Sequence, residues 1–206
     1  MAEKTLRGLM LRHGTTLLNE DNCFRGMLDP PLDADGVLDA HEAAEFLSRQ
    51  KIERIVCSPL LRAVQTAQIV SGVLGGLHID LRRELFPWQM GTEFYGKNRD
   101  ELADKLEYYV THPDEEPENG QSLSAFVEIV GDFMEDQLAL PCVTLFTTHT
   151  SDIITTTDLI NGVPPTHPEK AEVVKPGGVC AIYVTDDGYE IEPIFKAEDK
   201  PAEFGS

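Results

Sequence analysis

The sequence predicts an α/β fold: a three-layer α/β/α sandwich with a mostly parallel central sheet. Three observations lead there. Short apolar runs rich in β-branched residues alternate with longer segments whose apolar residues recur at helical spacing. Strands that alternate with helices imply a parallel sheet covered on both faces. The 206 residues, 41% of them hydrophobic, suffice for one buried core, and nothing in that length demands a second.

The elements follow in chain order. "TLRGLML" reads as the first strand. From Asp33 to Gln50, Val37, Ala40, Ala44 and Leu47 mark a helical stripe, with Asp33 and Asp35 as alternative caps. "RIVCS" is a buried strand, and Ser58-Pro59 then offers an N-cap and a first-turn proline. Leu60, Ala63, Ala67, Val70 and Leu74 form the next stripe, and "LHIDLRREL" a third strand. Residues 86–97, with Pro87, Gly91 and Gly96, read as a loop, and a helix is expected over Arg99 to Tyr109. After the polar break "HPDEEPENG", Leu123, Phe126, Val127, Val130 and Met134 place a helix over Ser122 to Leu138. "CVTLFTT" is a strand, Ser151 to Ile160 a short helix, and "GVCAIYV" and "YEIEPIF" are the closing strands. Residues 1–195 are expected to form a single domain, with 196–206 a flexible tail.

In such sheets ligands bind beyond the carboxyl ends of the strands. Arg12-His13 ends the first strand, Arg62 follows the second, Glu84 ends the third and His149 ends "CVTLFTTH". Topology therefore gathers two arginines, two histidines and a carboxylate on one rim. Guanidiniums suit a phosphoryl group, whose oxygens they bind in paired, charge-assisted hydrogen bonds. A neutral imidazole can attack phosphorus, and arginines beside it disfavour the imidazolium. A second histidine can stabilise charge on the oxygens in flight, and a carboxylic acid can protonate the departing alcohol. This scheme needs no metal and no cofactor.

The charge balance points the same way. Seventeen Lys+Arg against 36 Asp+Glu give a net −19, which repels nucleic acid and anionic lipid and leaves any phosphate site dependent on specific arginines. Cys23, Cys57, Cys142 and Cys180 form no C-x-x-C pair and read as free thiols. No apolar run is long enough to span a bilayer, and "MAEKTLRG" lacks the apolar core of a signal peptide, so the cytoplasm is the expected location. His41, His78, His112 and His167 have no supporting context. Trp88, Phe94 and Tyr95 suit a packed loop as well as a pocket wall.

The residues also carry a family resemblance. "RHGTTLLNEDNCFRGMLDPPLDADG" resembles the opening of the histidine phosphatase superfamily in its phosphoglycerate mutase-like branch. "CSPLLRAVQTAQIV" resembles its second block, "ENGQSLSAF" its G-E-S segment, "TLFTTH" the strand that delivers its second histidine, and "VKPGGVCAIYV" its late strand. The resemblance implies a phosphoglycerate mutase-like fold and a phosphorylated nucleophile at His13. It implies phosphoryl binding by Arg12, Arg62 and His149, and a substrate pocket lined by Asn19, Arg25 and Gly26. The family's proton donor falls at Glu84, with Glu93 as the rival because the spacing from Glu84 to Gly91 departs from the usual pattern. Thr150 stands where a glycine is common and Gln121 where a glutamate is frequent.

Hydrolysis of a phosphomonoester is thus the expected activity, on a small phosphorylated metabolite. The alternatives are phosphoglycerate mutase-type transfer and a noncatalytic module that binds phosphorylated ligands. Mutases of the family carry a longer basic insertion, whereas Asn98 to Asn119 holds few basic residues and the acidic run "DEEPEN". Intact Arg12, His13, Arg62 and His149 argue against a mere binder. The expected partner is the substrate. A homodimer is left open, and neither nucleic acid nor membrane is expected.

Overall fold

A computed structural model describes residues 4–20, 22–165 and 174–196. The central sheet has six strands: β1 (Thr5–Arg12), β2 (Arg54–Cys57), β3 (Ile79–Leu81), β4 (Thr144–Thr148), β5 (Val179–Thr185) and β6 (Gly188–Phe195). Their spatial order is β3-β2-β4-β1-β5-β6. The pairs β1·β4, β2·β4 and β2·β3 are parallel, whereas β5 runs antiparallel to both of its neighbours. The sheet is therefore mostly parallel, as the alternation of elements predicts.

Alternate residues of the strands feed two cores. Leu9, Leu11, Ile55, Cys57, Leu145 and Ala181 pack with Ala43, Ala44 and Leu47 of helix α2 (Ala34–Leu47) and Ala63, Ala67 and Val70 of helix α3 (Leu61–Val73). Met10, Val56, Phe146, Cys180 and Ile182 point the other way. They meet Phe126, Val130, Phe133 and Met134 of helix α5 (Leu123–Leu138) and Ile153 of helix α6 (Thr150–Ile160). A strand buried on both faces has no solvent side to serve, which is why "LML" in β1 is uninterrupted. Helix α1 (Leu17–Glu20) is a single turn, and helix α4 (Ala103–Thr111) adds Val110 to the second of these cores.

Several expectations are corrected. Ser58-Pro59 does not start α3: Leu60 is its N-cap residue and makes no side-chain cap bond. The Ser58 hydroxyl lies 2.8 Å from His149 Nε2 and accepts only a long bond, 3.5 Å, from Leu60 N, and the exposed helix end is met by Asp29, whose Oδ1 accepts from Leu61 N at 2.6 Å. The third strand ends at Leu81, and Arg83–Leu85 forms a 3-10 turn, so Glu84 stands on that turn and not at the strand's end. Helix α4 begins at Ala103, because the Arg99 amide bonds to the Asn22 carbonyl at 3.0 Å instead of opening a helix. Of the cysteines, Cys57 and Cys180 are buried and the other two are partly exposed. Asp33, not Asp35, caps α2, accepting from Gly36 N at 2.7 Å.

One contact fixes the end of β1. A Cβ on Gly14 would lie 2.3 Å from the Gly36 carbonyl oxygen, and one on Gly36 would lie 2.0 Å from that of Thr15. The loop after His13 and the first turn of α2 therefore pack backbone on backbone. Asp39 ties them further, its Oδ2 accepting from Thr15 N at 2.9 Å and from Thr15 Oγ1 at 2.6 Å. Gly14→Ala should lower the unfolding free energy by about 3 kcal/mol, the upper part of the range for overpacking. Urea denaturation measures this, and an unchanged midpoint would show that the loop yields.

Candidate active site

The ladder of the sheet continues past the strand ends and sets the site. His13 N donates to the Thr148 carbonyl at 3.0 Å, and Ser58 N to that of Thr147 at 3.0 Å. These bonds hold the ends of β1, β2 and β4 level. His13, Arg62 and His149 consequently line one small cavity, together with Arg25, Gly26, Pro87, Arg99, Thr150 and Ser151. Their positions in sequence run from 13 to 151, so the convergence belongs to topology.

His13 is buried, and its tautomer follows from its contacts. Nδ1 lies 2.7 Å from the Gly14 carbonyl, an acceptor only, so Nδ1 carries the proton. Nε2 then presents a lone pair, and Arg62 Nε donates to it at 3.2 Å. The rest of the Arg62 guanidinium is held by main-chain oxygens, Nη1 by Leu28 at 2.8 Å and Nη2 by Gly26 at 3.1 Å. Gly26 meets this geometry with φ +47°, where a Cβ would fall 1.9 Å from the Tyr95 ring. The Arg62 carbonyl accepts from Thr66 Oγ1, which in turn accepts from Gly14 N at 3.1 Å. Helix α3 and the loop after His13 are thereby joined.

Arg12 is also buried and donates from Nη1 to the Val174 carbonyl at 2.6 Å. The His149 ring lies 5.1 Å from that of His13. Its Nε2 contacts Ser58 Oγ, and its Nδ1 is buried with no hydrogen-bond partner among the described residues. Both imidazoles are held well below the ordinary histidine pKa of 6.5, by burial first and then by Arg62, Arg25 and Arg12, with His149 adding to the effect on His13. Both rings are thus neutral at physiological pH.

Arg12, His13, Arg25, Gly26, Arg62 and His149 are therefore brought together. Asn19 lies in α1, with its side chain outside the described residues, as are His167 and residues 197–206. Glu84 is partly exposed and is not among the described residues lining the cavity; it stands three positions before Pro87, which is. Glu93 is engaged by Lys105 and by the Tyr109 hydroxyl at 3.2 Å. Trp88 is a packed residue, its Nε1 donating to the Gln121 carbonyl at 2.9 Å and its backbone N to Ser151 Oγ at 3.2 Å. Sequence reasoning missed Arg99, since no local pattern marks it, and Ser58, which it assigned to a cap. No group of three or more His, Cys, Asp or Glu with metal-binding geometry stands among the described residues.

A pocket of neutral imidazoles and guanidiniums at the end of a parallel sheet agrees with what comparison finds. The sequence profile of the histidine phosphatase superfamily (branch 1) matches residues 9–196. The chain belongs to that superfamily. It is 27% identical over 207 residues to 2,3-bisphosphoglycerate-dependent phosphoglycerate mutase 2 of Arabidopsis thaliana, an alignment that covers 76% of this chain and 62% of the mutase. The chain thus spans about three fifths of that relative. In fold it is similar to the alpha-ribazole phosphatase of Shigella flexneri, with a TM-score of 0.75, 22% identity and 94% and 99% of the two chains covered. It is likewise similar to mycobacterial glucosyl-3-phosphoglycerate phosphatase, with a TM-score of 0.76, 20% identity and 94% and 100% covered. No helix among the described residues is long and apolar enough to cross a membrane.

The depressed histidines have a consequence for stability. Below pH 6.5 the unfolded chain takes up protons that native His13 and His149 refuse, so the unfolding free energy falls as pH drops. Each neutral buried histidine contributes a slope of up to about 1.4 kcal/mol per pH unit. Urea denaturation at pH 7.5 and 5.5 should show a clearly smaller acid loss in His149→Asn than in the parent. Equal losses in the two proteins would mean that His149 protonates freely in the fold.

Proposed function

We propose that this protein is a metal-independent phosphatase that hydrolyses a phosphomonoester on a small phosphorylated metabolite through a phosphohistidine at His13, and that it works in the cytoplasm. The observation that carries this is the His13 ring, with its proton fixed on Nδ1 by the Gly14 carbonyl and its Nε2 lone pair facing Arg62. That ring is a nucleophile already in the correct tautomer.

In the first step the Nε2 lone pair attacks phosphorus as the bond to the leaving oxygen breaks. Arg62 shifts its Nε–H from the lone pair to a phosphoryl oxygen, and Arg12 and Arg25 bind the others. With Ser58 donating to Nε2 of His149, the proton of that neutral ring sits on Nδ1, which then donates to the phosphoryl group. Glu84, moving in from its turn beside Pro87, gives a proton to the leaving alcohol. In the second step the Glu84 carboxylate takes a proton from water, the resulting nucleophile attacks phosphorus, the P–N bond breaks and phosphate departs. His13 and Glu84 return to their starting states. Asn19 and Gly26 complete the substrate pocket in this scheme.

The relative named above is a mutase, and return of the phosphoryl group to a sugar acid is the second reading. The sparse basic content of residues 98–119 favours water as the acceptor.

Rapid quenching with ³²P-labelled p-nitrophenyl phosphate, in the presence of a chelator, should place label on His13, and His13→Ala should retain no measurable turnover. Label elsewhere, or a need for added magnesium, would reject the scheme.

A further pair of variants assigns the acid. Glu84→Gln should slow an alkyl phosphate about 100-fold or more, the usual scale for general acid catalysis, and an activated aryl phosphate far less. Glu93→Gln should change little. The reverse ranking would move the role to Glu93.

A further inference from the structure

We propose that Asp39 is a positioning residue for His13 and acts on its ring through the peptide group that joins Gly14 to Thr15. The proposal rests on the phosphatase reading above. It adds to that reading a carboxylate that is not among the described residues lining the cavity.

Three groups stand in line. His13 Nδ1 donates to the Gly14 carbonyl at 2.7 Å, and Thr15 N donates to Asp39 Oδ2 at 2.9 Å. The Gly14 carbonyl and the Thr15 amide belong to one peptide plane. That plane is trans, so its acceptor and its donor point in opposite directions. The order is therefore ring N–H, carbonyl, amide, carboxylate. Hydrogen bonds in such a chain polarise one another, and a bond whose acceptor is ionised is the stronger for it. The negative charge of Asp39 thus makes the Gly14 oxygen a better acceptor for the proton on Nδ1.

Packing fixes the carboxylate. Asp39 is buried on α2, and Thr15 Oγ1 donates to the same Oδ2 at 2.6 Å, which aims that oxygen at the loop after His13. From the other side, the turn before β5 closes on it: a Cβ on Gly177 would fall 2.9 Å from that of Asp39, and Gly177 N donates to the Arg12 carbonyl at 3.0 Å. The loop itself is held at Gly14 N by Thr66 Oγ1, 3.1 Å away. A neutral amide side chain could accept the Thr15 bonds at a smaller cost in desolvation, so what the buried carboxylate adds is its charge.

The reacting ring has a use for that charge. As Nε2 bonds to phosphorus and the bond to the leaving oxygen breaks, Nδ1 keeps its proton and the leaving oxygen takes one from Glu84. The phosphorylated ring is then cationic. Burial, Arg62, Arg25 and Arg12 hold free His13 neutral, and they oppose this cation as well. Asp39 offsets them through the nitrogen that does not attack.

Asp39→Asn keeps the shape of the side chain and removes its charge. In proton NMR of the parent, the His13 Nδ1 proton, assigned by its loss in His13→Ala, should lie downfield of an exposed imidazole's and exchange slowly. In Asp39→Asn it should move upfield. Rapid-quench phosphorylation by p-nitrophenyl phosphate should slow about 10-fold, the difference between a charge-assisted and a neutral hydrogen bond. Calorimetric binding of inorganic phosphate should not weaken, since a negative charge has left the neighbourhood of an anion site, whereas a distorted loop would weaken it. Thr15→Val loses the hydroxyl bond to Oδ2 and keeps the amide one, so it should move resonance and rate much less. A parent proton at the ordinary imidazole position would overturn the proposal whatever the variants do. So would an unmoved resonance or rate in Asp39→Asn, or phosphate binding lost along with the rate. The resonance needs no turnover. A parent that is never phosphorylated, beside a resonance that moves in Asp39→Asn, rejects the phosphatase reading alone. Normal phosphorylation of the parent beside an unmoved resonance rejects the role of Asp39 alone.

Discussion

The site depends on a buried arginine that donates to a neutral histidine. Arg62 is almost wholly removed from solvent, and a guanidinium keeps its charge there, so its environment must supply acceptors. It finds them in the carbonyls of Gly26 and Leu28 and in the lone pair of His13. Asp29 lies 3.9 Å away. Each partner answers a different need. The carbonyls fix the loop that shapes the pocket, the histidine is kept unprotonated, and the carboxylate, itself partly exposed, also closes the end of α3. Truncating this side chain would leave two carbonyls and an imidazole buried without a donor, which is why the loop, the helix and His13 form a single unit.

Much of this was legible in the sequence. The central strands β2 and β4 are short and buried on both faces, so apolar runs marked them, and the rim residues Arg12, His13, Arg62 and His149 were placed by strand ends. What escaped has physical causes. The start of α3 depends on Asp29, about 30 residues upstream, a cap that no local window contains. The end of β3 was overrun because Leu85 falls in phase with Ile79 and Leu81, although Arg83 interrupts the alternation and Leu85 belongs to the 3-10 turn. That misplaced Glu84 by one element, and it matters because the family's proton donor was assigned by spacing. Arg99 was invisible for a similar reason: its significance lies in pairing between residues 22–26 and 94–99, and pairing across such a distance leaves no periodic trace.

Membership of the superfamily rests on a profile that spans nearly the whole chain, yet pairwise identities stay between 20% and 27% for the three proteins compared. At that distance the architecture persists while the pocket wall is free to differ. In this chain the Trp88 indole donates to the Gln121 carbonyl and Gln121 N to that of Gln89, which locks together two loops beside the pocket.

The contact between Gly14 and Gly36 sets how far the sequence can drift. Side-chain interfaces adjust when one residue is exchanged for another, because rotamers shift and neighbours fill the space. A backbone-on-backbone contact has no such slack, and its spacing is set by atomic radii that no substitution elsewhere alters. Ala43, Ala44 and Leu47 can be repacked against the sheet, tilting the far end of α2, while its first turn stays pressed against the loop that follows His13. The fold thus places its mechanical tolerance in the body of the helix and its rigidity at the one end where a displacement would be felt at His13.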